Sequence, residues 1–441
     1  MRVGAVLALT LAVGVGYLLG TSPTGVSPPQ VPSSGSPVAD IPPWPIFRIA
    51  VGLNDFFRSA AEATTLPKIR VIDLATAKWH SHVIYALTKN GVFDEVHAAP
   101  LSCEQTATKL KLHAPFLCRL MAAGVSLDLL SQTDGKFGTT ATSSLLLAGV
   151  VGSQKSFVEM INNPYQTPPW EEIAGRALAS GKGGFEAAYD ASFWQYLSAP
   201  GRSDLEAEFD GAVRDQGRAE SCGPAARLSS ACVTATAEPS VCCPTRQMSS
   251  FTAAAAGSII TSYAFPPNGT LCDVGGSEGG TLGLLLGHYP GAKGIVYDRP
   301  TVAFRATTAF AKNDLSDRAR GIGGDFFGAF PAELAQCDVF ILKHILHDWA
   351  DDHCIQILRG IQSVAKPGAK LAVVEHVVGV SGAGMERAKA MMDLNMMASC
   401  ESGAKERSVD EYKALFTAAG LSAPPTLVRM RDILSLIEVE L

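Results

Sequence analysis

Apolar side chains recur at helical spacing in the first third of the chain. Between residues 67 and 90 they lie three or four positions apart, which predicts an amphipathic helix. The repeating positions are Ile72, Ala75, Trp79, Val83 and Leu87. Similar runs predict two further helices, over residues 101–112 and 114–130.

A turn signal follows the third helix. Asp134-Gly135 lies between short stretches near Leu130 and Phe137, as at the tip of a β-hairpin. Three helices and a hairpin indicate a winged-helix unit, which we place at residues 65–180. Its third helix contains Arg119 as its only strong base, whereas a helix that reads DNA usually needs several phosphate-contacting cations. The pattern therefore favours a dimerisation domain over a DNA-binding domain.

The second half of the chain alternates between short apolar runs and helical stretches such as residues 352–365. This alternation is typical of a doubly wound, mostly parallel sheet, so we predict an α/β domain over residues 181–441. The strand candidates are Thr270–Val274, Gly294–Tyr297, Gly321–Gly323, Val339–Leu342 and Lys370–Val377. Leu434–Glu440 alternates at the C-terminus and predicts a last strand at the edge of this sheet.

The N-terminus differs in composition from the rest of the chain. Residues 3–20 carry no charge, which is the form of a secretory signal or a short membrane anchor over residues 1–22. A stretch rich in Pro and Ser follows and predicts a flexible linker over residues 23–64. The sequence thus leaves a membrane-tethered, an organelle-targeted and a cytoplasmic protein open. The net charge of −6 gives no global basic field for nucleic acid.

Four of the ten cysteines cluster at about residues 218–250, in a segment rich in Ala, Ser and Thr. The cluster lacks the paired Cys-x-x-Cys knuckles of a zinc site, so we predict a solvated insertion without a metal, of open function. Cys272, Cys337 and Cys400 lie in apolar or motif contexts and are interpreted as buried free thiols.

Candidate chemistry follows the predicted strands. After the first strand, the turn Gly275–Gly280 allows backbone to approach a ligand closely. Asp298 ends the second strand, where a carboxylate can hold ribose hydroxyls. Asp325 ends the third strand and can accept from an adenine amino group while Phe326 packs on the ring. His347 follows a later strand, where it can take a proton from a substrate held against the cofactor.

Six ordered motifs resemble those of the small-molecule O-methyltransferases that use S-adenosylmethionine (SAM), typified by the caffeic acid and acetylserotonin enzymes. The likeness covers about residues 66–217 and 251–441. The motifs are Asp-Val-Gly-Gly at 273–276, Tyr-Asp-Arg-Pro at 297–300, Gly-Gly-Asp-Phe-Phe at 323–327, Leu-Lys-His-Ile-Leu-His-Asp-Trp at 342–349, Val-Val-Glu at 373–375 and Gly-Ala-Lys-Glu-Arg-Ser at 403–408.

The resemblance implies a Rossmann-like class I methyltransferase domain preceded by a winged-helix dimerisation domain, in a homodimer. It implies that His347 is the general base and that Glu375 and Glu406 orient it. The residues that it places against SAM are Gly275, Asp298, Asp325, Phe326 and Lys343. No metal is implied. The neighbouring histidines His344, His353 and His376 are interpreted as structural or solvated.

The acceptor stays open between two chemical classes. The family resemblance favours a hydroxyl on a small molecule, with aromatic acceptors among the candidates. Some relatives of this family are S-methyltransferases acting on small hydroxy acids, including steps toward dimethylsulfoniopropionate, so a thioether or thiol sulfur is the alternative. A DNA-binding regulator that senses SAM is a third hypothesis, which the weakly charged helix at 114–130 disfavours.

Overall fold

The computed structural model describes residues 43–148, 150, 153–197, 199–202, 205 and 250–441. The apolar segment at 3–20 and the cysteine cluster of the predicted insertion lie outside these residues. Among the helices of the described ranges, none is long and apolar enough to cross a membrane.

Five helices and a hairpin form the N-terminal region. The sequence predicted three of these helices and the hairpin, and it did not predict the short helix at Val92–Ala98. The elements are α1 (Trp44–Thr64), α2 (Pro67–Lys89), α3 (Val92–Ala98), α4 (Cys103–Leu110), α5 (Ala114–Ser126), β1 (Leu130–Thr133) and β2 (Lys136–Thr139). A buried cluster that includes Leu87, Phe93, Met121 and Phe137 holds the helices against the hairpin. Asp134 and Gly135 both adopt positive φ at the hairpin tip.

The linker prediction is wrong for residues 44–64, which form helix α1. Ile46, Ile49, Leu53 and Phe56 recur three or four positions apart within this stretch, which is the spacing of a helix face. Pro45 occupies a first-turn position, where a missing backbone N–H costs nothing. The linker prediction extended the Pro- and Ser-rich composition of the preceding segment over these residues and so overlooked their helical spacing.

Short helices connect the N-terminal region to the sheet. They are α6 (Lys155–Ile161), α7 (Thr167–Glu172), α8 (Leu178–Ser180), α9 (Gly184–Tyr189) and α10 (Phe193–Leu197), with a π-helical turn at Ile173–Ala177. Phe185, Phe193 and Tyr165 are buried together with Leu197. The aromatic stretch at 185–197 therefore contributes mainly to a local core.

Seven strands form the predicted α/β sheet. The strands are β3 (Thr270–Val274), β4 (Lys293–Asp298), β5 (Ala319–Gly323), β6 (Val339–Lys343), β7 (Lys370–Glu375), β8 (Thr426–Arg429) and β9 (Ser435–Glu440). The helices around them are α11 (Ser250–Ser262), α12 (Gly280–His288), α13 (Pro300–Lys312), α14 (Asp351–Val364), α15 (Ala383–Ser399) and α16 (Val409–Ala419). Two large apolar clusters pack on the two faces of the sheet.

The strand order is β5-β4-β3-β6-β7-β9-β8, with β3 to β7 parallel and the last two pairings antiparallel. This mostly parallel order, with helices on both faces, is that of a class I methyltransferase fold. Strand β9 was predicted at the edge, and this is wrong. It lies between β7 and β8, because the unpredicted strand β8 covers its outer side. Both neighbours bury β9, from Ser435 to Ile437 in particular.

Two disulfide bonds are present among the described residues. Cys103 and Cys118 join α4 to α5, with their Cα atoms 5.0 Å apart. Cys272 and Cys337 were interpreted as free thiols, but they form a bond as well. Cys272 lies on β3, and Cys337 lies two residues before β6, the adjacent strand, where Val339 pairs with Leu271. That adjacency depends on a crossover that the sequence pattern does not reveal. Cys400 is free and buried, as predicted.

Candidate active site

Strands β3 to β7 run parallel, so their carboxyl ends meet at one edge of the sheet. Each of these ends contributes a residue that the sequence analysis selected. In strand order from β3 to β7 they are Gly275, Asp298, Asp325, Lys343 and Glu375. The topology therefore brings the predicted cofactor contacts and the predicted catalytic segment to the same edge.

Gly275 begins the glycine turn with a φ of +73°, a left-handed conformation that favours glycine. Its N–H donates to Tyr297 O at 2.8 Å. A Cβ built at this position would clash with Cδ1 of Ile345 and lie 3.8 Å from the ring of Phe326. Only glycine thus fits between β3 and the loop that follows β6.

The Asp298 carboxylate is fixed by backbone amides. Oδ2 accepts from Ser277 N at 2.9 Å, and Oδ1 accepts from Arg299 N at 2.7 Å. Burial raises the pKa of Asp298, and these two amides oppose the rise. The carboxylate therefore links the end of β4 to the glycine turn.

Asp325 and Phe326 follow β5 at this edge. The exposed Asp325 accepts from Phe327 N through Oδ1 at 2.9 Å, while its backbone carbonyl accepts from the Tyr297 hydroxyl at 3.0 Å. The half-buried Phe326 packs edge-on against Trp349, with 5.8 Å between ring centroids. These residues form one side of the sheet edge, next to Gly275.

Lys343 ends β6 and is half-buried. Burial lowers the pKa of its ammonium, and Asp273, Glu375 and Asp432 oppose that effect. Burial also raises the pKa of Asp273 to about 6, in spite of Lys343. The Lys343 ammonium therefore interacts both with Asp273 on β3 and with Glu375 at the end of β7.

His347 lies in a short 3₁₀ turn after β6 and is 6% exposed. Its Nδ1 lies 2.9 Å from Glu406 Oε1, within hydrogen-bonding distance, and 3.6 Å from Glu375 Oε2. Its Nε2 lies 3.5 Å from Asp348 Oδ1. The structure thus brings together the three residues predicted as catalytic, and it adds Asp348, which the sequence analysis did not select.

The carboxylates determine the protonation of this imidazole. Burial disfavours the imidazolium, but Glu375, Asp348 and Glu406 outweigh it and raise the pKa of His347 to about 10. The Glu406 carboxyl is buried, but His347 and His376 lower its pKa to about 2. The surroundings therefore stabilise the imidazolium, well beyond the pKa of about 6.5 of a free histidine.

Backbone amides and a buried arginine hold the segment that carries His347. Glu375 Oε1 accepts from Ile345 N at 2.9 Å and from Leu346 N at 3.0 Å. Arg407 is fully buried and donates to Leu346 O at 2.7 Å and to Trp349 O at 2.8 Å. Arg407 belongs to the motif at 403–408, but the sequence did not predict a role for it. The signal that could have indicated one is its position directly after Glu406.

Two further histidines face the same cluster. The buried His376 has Nδ1 3.2 Å from Glu406 Oε1. The half-buried His344 has Nδ1 3.9 Å from Glu375 Oε2. The ring centroids of His344 and His376 lie 5.1 Å and 6.3 Å from that of His347. His353, in contrast, is about half exposed and contacts Glu401. The interpretation of His344 and His376 as structural or solvated did not anticipate this arrangement.

Family models match both parts of the chain. Residues 231–422 match the O-methyltransferase domain, and residues 72–149 match the O-methyltransferase dimerisation domain. The phenazine O-methyltransferase PhzM of Lysobacter antibioticus is 29% identical over 80% of this chain and 90% of its own length. The mitomycin biosynthesis 6-O-methyltransferase of Streptomyces lavendulae is 26% identical over 84% and 92%.

Solved structures agree with these matches. The crystal structure of LaPhzM is 27% identical, with a TM-score of 0.71, and the match covers 85% of this chain and 99% of LaPhzM. Human N-acetylserotonin methyltransferase, solved in complex with SAM, gives a TM-score of 0.68 at 22% identity, covering 86% and 98%, which supports the fold. The two family models, in the predicted order, and these relatives agree on one class of reaction. The chain belongs to the SAM-dependent O-methyltransferase family, whose members act on small molecules.

Proposed function

We propose that this enzyme transfers the methyl group of SAM to a hydroxyl of a small aromatic molecule, with His347 as the general base. The observation that carries the proposal is the buried pair of His347 and Glu406, whose Nδ1 and Oε1 atoms lie 2.9 Å apart. The pair lies at the sheet edge that also holds the glycine turn. A base and the carboxylate that orients it are the parts needed to deprotonate a hydroxyl.

The residues at the sheet edge fit the cofactor. Gly275, in its left-handed conformation, keeps the turn after β3 free of a side chain, which suits close approach of a ligand to the backbone. Asp298 is anchored by two amides and offers a fixed acceptor for ribose hydroxyls. Asp325 and Phe326 would hold the adenine, and Lys343 would support the same region. SAM supplies an electrophilic methyl group on a positively charged sulfur.

His347 then has two tasks, which are to orient the acceptor and to receive its proton. Glu406 fixes the ring through Nδ1, so that Nε2 is the atom that can face an acceptor. The imidazolium that forms on proton transfer is stabilised by Glu375 and Glu406, as the raised pKa of His347 indicates. A cationic cofactor bound at the same edge would oppose the imidazolium and so lower that pKa, because like charges disfavour each other.

The acceptor proposal is supported by the relatives and by the aromatic helices. Relatives include enzymes named for phenazine and xanthohumol, which are aromatic. In this chain, Tyr189 and Tyr196 lie on α9 and α10 with ring centroids 4.5 Å apart. Gly183, just before α9, donates to Ser402 Oγ at 2.8 Å, which ties these helices to the loop that carries Glu406.

We also propose that the enzyme is a homodimer. The dimerisation-domain match over residues 72–149 supports it. Large apolar side chains on α1 and α2 are exposed, including Ile49, Phe56, Val71 and Trp79, each at least 62%. Exposed apolar stripes of this extent usually mark an interface between subunits.

An acceptor screen with methyl-labelled SAM tests the function. The purified protein is offered phenols, hydroxyindoles and thio-hydroxy acids, and labelled products are identified by mass spectrometry. We expect label on a phenolic or indolic oxygen and its loss in His347→Gln. His353→Gln is the matched control, because His353 is about half exposed and forms its ion pair with Glu401 rather than with the carboxylates around His347. Label on sulfur, undiminished in His347→Gln, would favour the S-methyl alternative.

A further inference from the structure

Three polar atoms beside the proposed base are buried without a hydrogen-bond partner in the part of the chain that the structure describes. They are Oε2 of Glu375, Oε2 of Glu406 and Nδ1 of His376. These three side chains are at most 3% exposed. Buried polar groups are nearly always paired. His376 Nδ1 lies in ion-pair range of Glu406 Oε1, at 3.2 Å, but none of the three atoms has a hydrogen-bond partner among the described residues, which indicates a ligand that binds among them.

Nitrogen and oxygen atoms converge at this point. His347 Nδ1 lies 2.9 Å from Glu406 Oε1 and 3.6 Å from Glu375 Oε2. His376 Nδ1 lies 3.2 Å from Glu406 Oε1, and His344 Nδ1 lies 3.9 Å from Glu375 Oε2. Tetrahedral ligands around Zn²⁺, with bonds of about 2.0–2.1 Å, are about 3.3–3.4 Å apart. The observed separations bracket that value. Two triads that share His347 converge in this way, His347 with Glu375 and Glu406 and His347 with His344 and His376, and within each the ligand atoms lie within 4.8 Å of one another.

The donor set suits a transition metal better than calcium or magnesium. Imidazole nitrogens favour zinc and its neighbours, whereas Ca²⁺ and Mg²⁺ require oxygen ligands. The two carboxylates supply the negative charge that a divalent cation needs. Glu375 is already oriented by the amides of Ile345 and Leu346, as ligands of metal sites usually are. The His344 side chain is 22% exposed and gives the ion a route from solvent.

We propose that His344, His347, His376, Glu375 and Glu406 form a binding site for one Zn²⁺ ion, and that the ion inhibits methyl transfer. The inhibition rests on the proposed role of His347 as base. A metal bound to Nδ1 leaves the ring proton on Nε2, so the imidazole has no lone pair for the proton of the acceptor. His344 and His376 have no part in the proposed proton transfer, so metal binding and catalysis can be separated.

Metal titration of the purified full chain tests the site. Co²⁺ serves as the spectroscopic probe and Zn²⁺ is titrated by calorimetry, after treatment with a chelator. We expect one equivalent of each metal, visible d–d absorption with Co²⁺, and affinity at least about tenfold weaker in His376→Asn and in His344→Asn. The matched control His353→Asn, about half exposed and outside the cluster, should bind as the parent does.

Activity with a phenolic acceptor gives the second readout. Zn²⁺ should inhibit the parent and the His353 control at one equivalent. In His376→Asn the ratio of activity with Zn²⁺ to activity with chelator should rise toward one, whatever the activity of the chelator-treated variant is. Absence of stoichiometric binding, or unchanged affinity in both variants with circular dichroism like that of the parent, would overturn the site. If no hydroxyl acceptor is methylated even with chelator present, the proposed function fails, whereas the metal titration still decides the site independently.

Discussion

Arg407 provides a direct test of how the active-site loop is held. Its guanidinium donates to the carbonyls of Leu346 and Trp349 and contacts Asp351 Oδ1 at 2.7 Å, so it spans the segment that carries His347. Arg407→Ala would leave two carbonyls without these donors. Hydrogen bonds to a charged group contribute about 1.5–3 kcal/mol each. The Asp351 side chain is 53% exposed, so its ion pair adds little.

We therefore expect Arg407→Ala to lower the free energy of unfolding by about 3–5 kcal/mol, the usual cost of removing one partner from a buried charged network. Urea denaturation followed by circular dichroism measures this loss. Arg407→Lys keeps the charge but not the planar fork, so we expect an intermediate loss. The turnover number should fall while S-adenosylhomocysteine affinity changes little. A loss below about 1 kcal/mol in Arg407→Ala would refute the assignment of the loop's stability to this residue.

Three further predictions concern the cofactor, the sheet and the assembly. Asp298→Ala should weaken S-adenosylhomocysteine binding by about 1–3 kcal/mol in calorimetry, and undiminished binding would remove Asp298 from the site. Burial raises the pKa of Asp273 from its usual 3.8 to about 6. The native state thus holds this proton more tightly than the unfolded chain, and stability is lost as the pH rises between the two values. At about 1.36 kcal/mol per pH unit, Asp273→Asn should be up to about 3 kcal/mol more stable than the parent at pH 8 but not at pH 3, in urea titrations at both pH values. An equal difference in stability between Asp273→Asn and the parent at both pH values would contradict this link between the Asp273 proton and folding. Light scattering should give about twice the monomer mass, and a fully active monomer at micromolar concentration would exclude the dimer as a requirement.

The sequence predicted the parts of the fold that follow local periodicity. Helix α2, the hairpin and most strand bounds agree with the structure within a few residues, because each is set by spacing and turn residues within the segment itself. Strand β8 and the central position of β9 were not predicted. Their placement depends on pairing between distant strands, and Thr426–Arg429 is too short for a clear alternation.

The same distinction applies to the active site. The position of His347 at the carboxyl edge of the sheet was predicted from the sequence, because its motif follows a strand and parallel sheets place chemistry at that edge. The contacts of Arg407 and the approach of His376 to Glu406 were not found. They depend on how the loop after α15 folds back across the end of β7, where Val378 bridges Ser408. Nor could the pKa of His347 be predicted, because it depends on three carboxylates brought together only in the folded protein.

The central claim is that His347 removes a proton from the hydroxyl acceptor. The most direct test measures single-turnover methyl transfer by the parent and by His347→Ala on a series of phenols of decreasing pKa. General-base loss typically costs about 10²–10⁴ in rate. We predict a loss in this range for weakly acidic phenols, which shrinks steadily as the phenol becomes ionised in solution, with unchanged S-adenosylhomocysteine affinity. A loss that is the same for every phenol, or no loss at all, would contradict the role of His347 as the base.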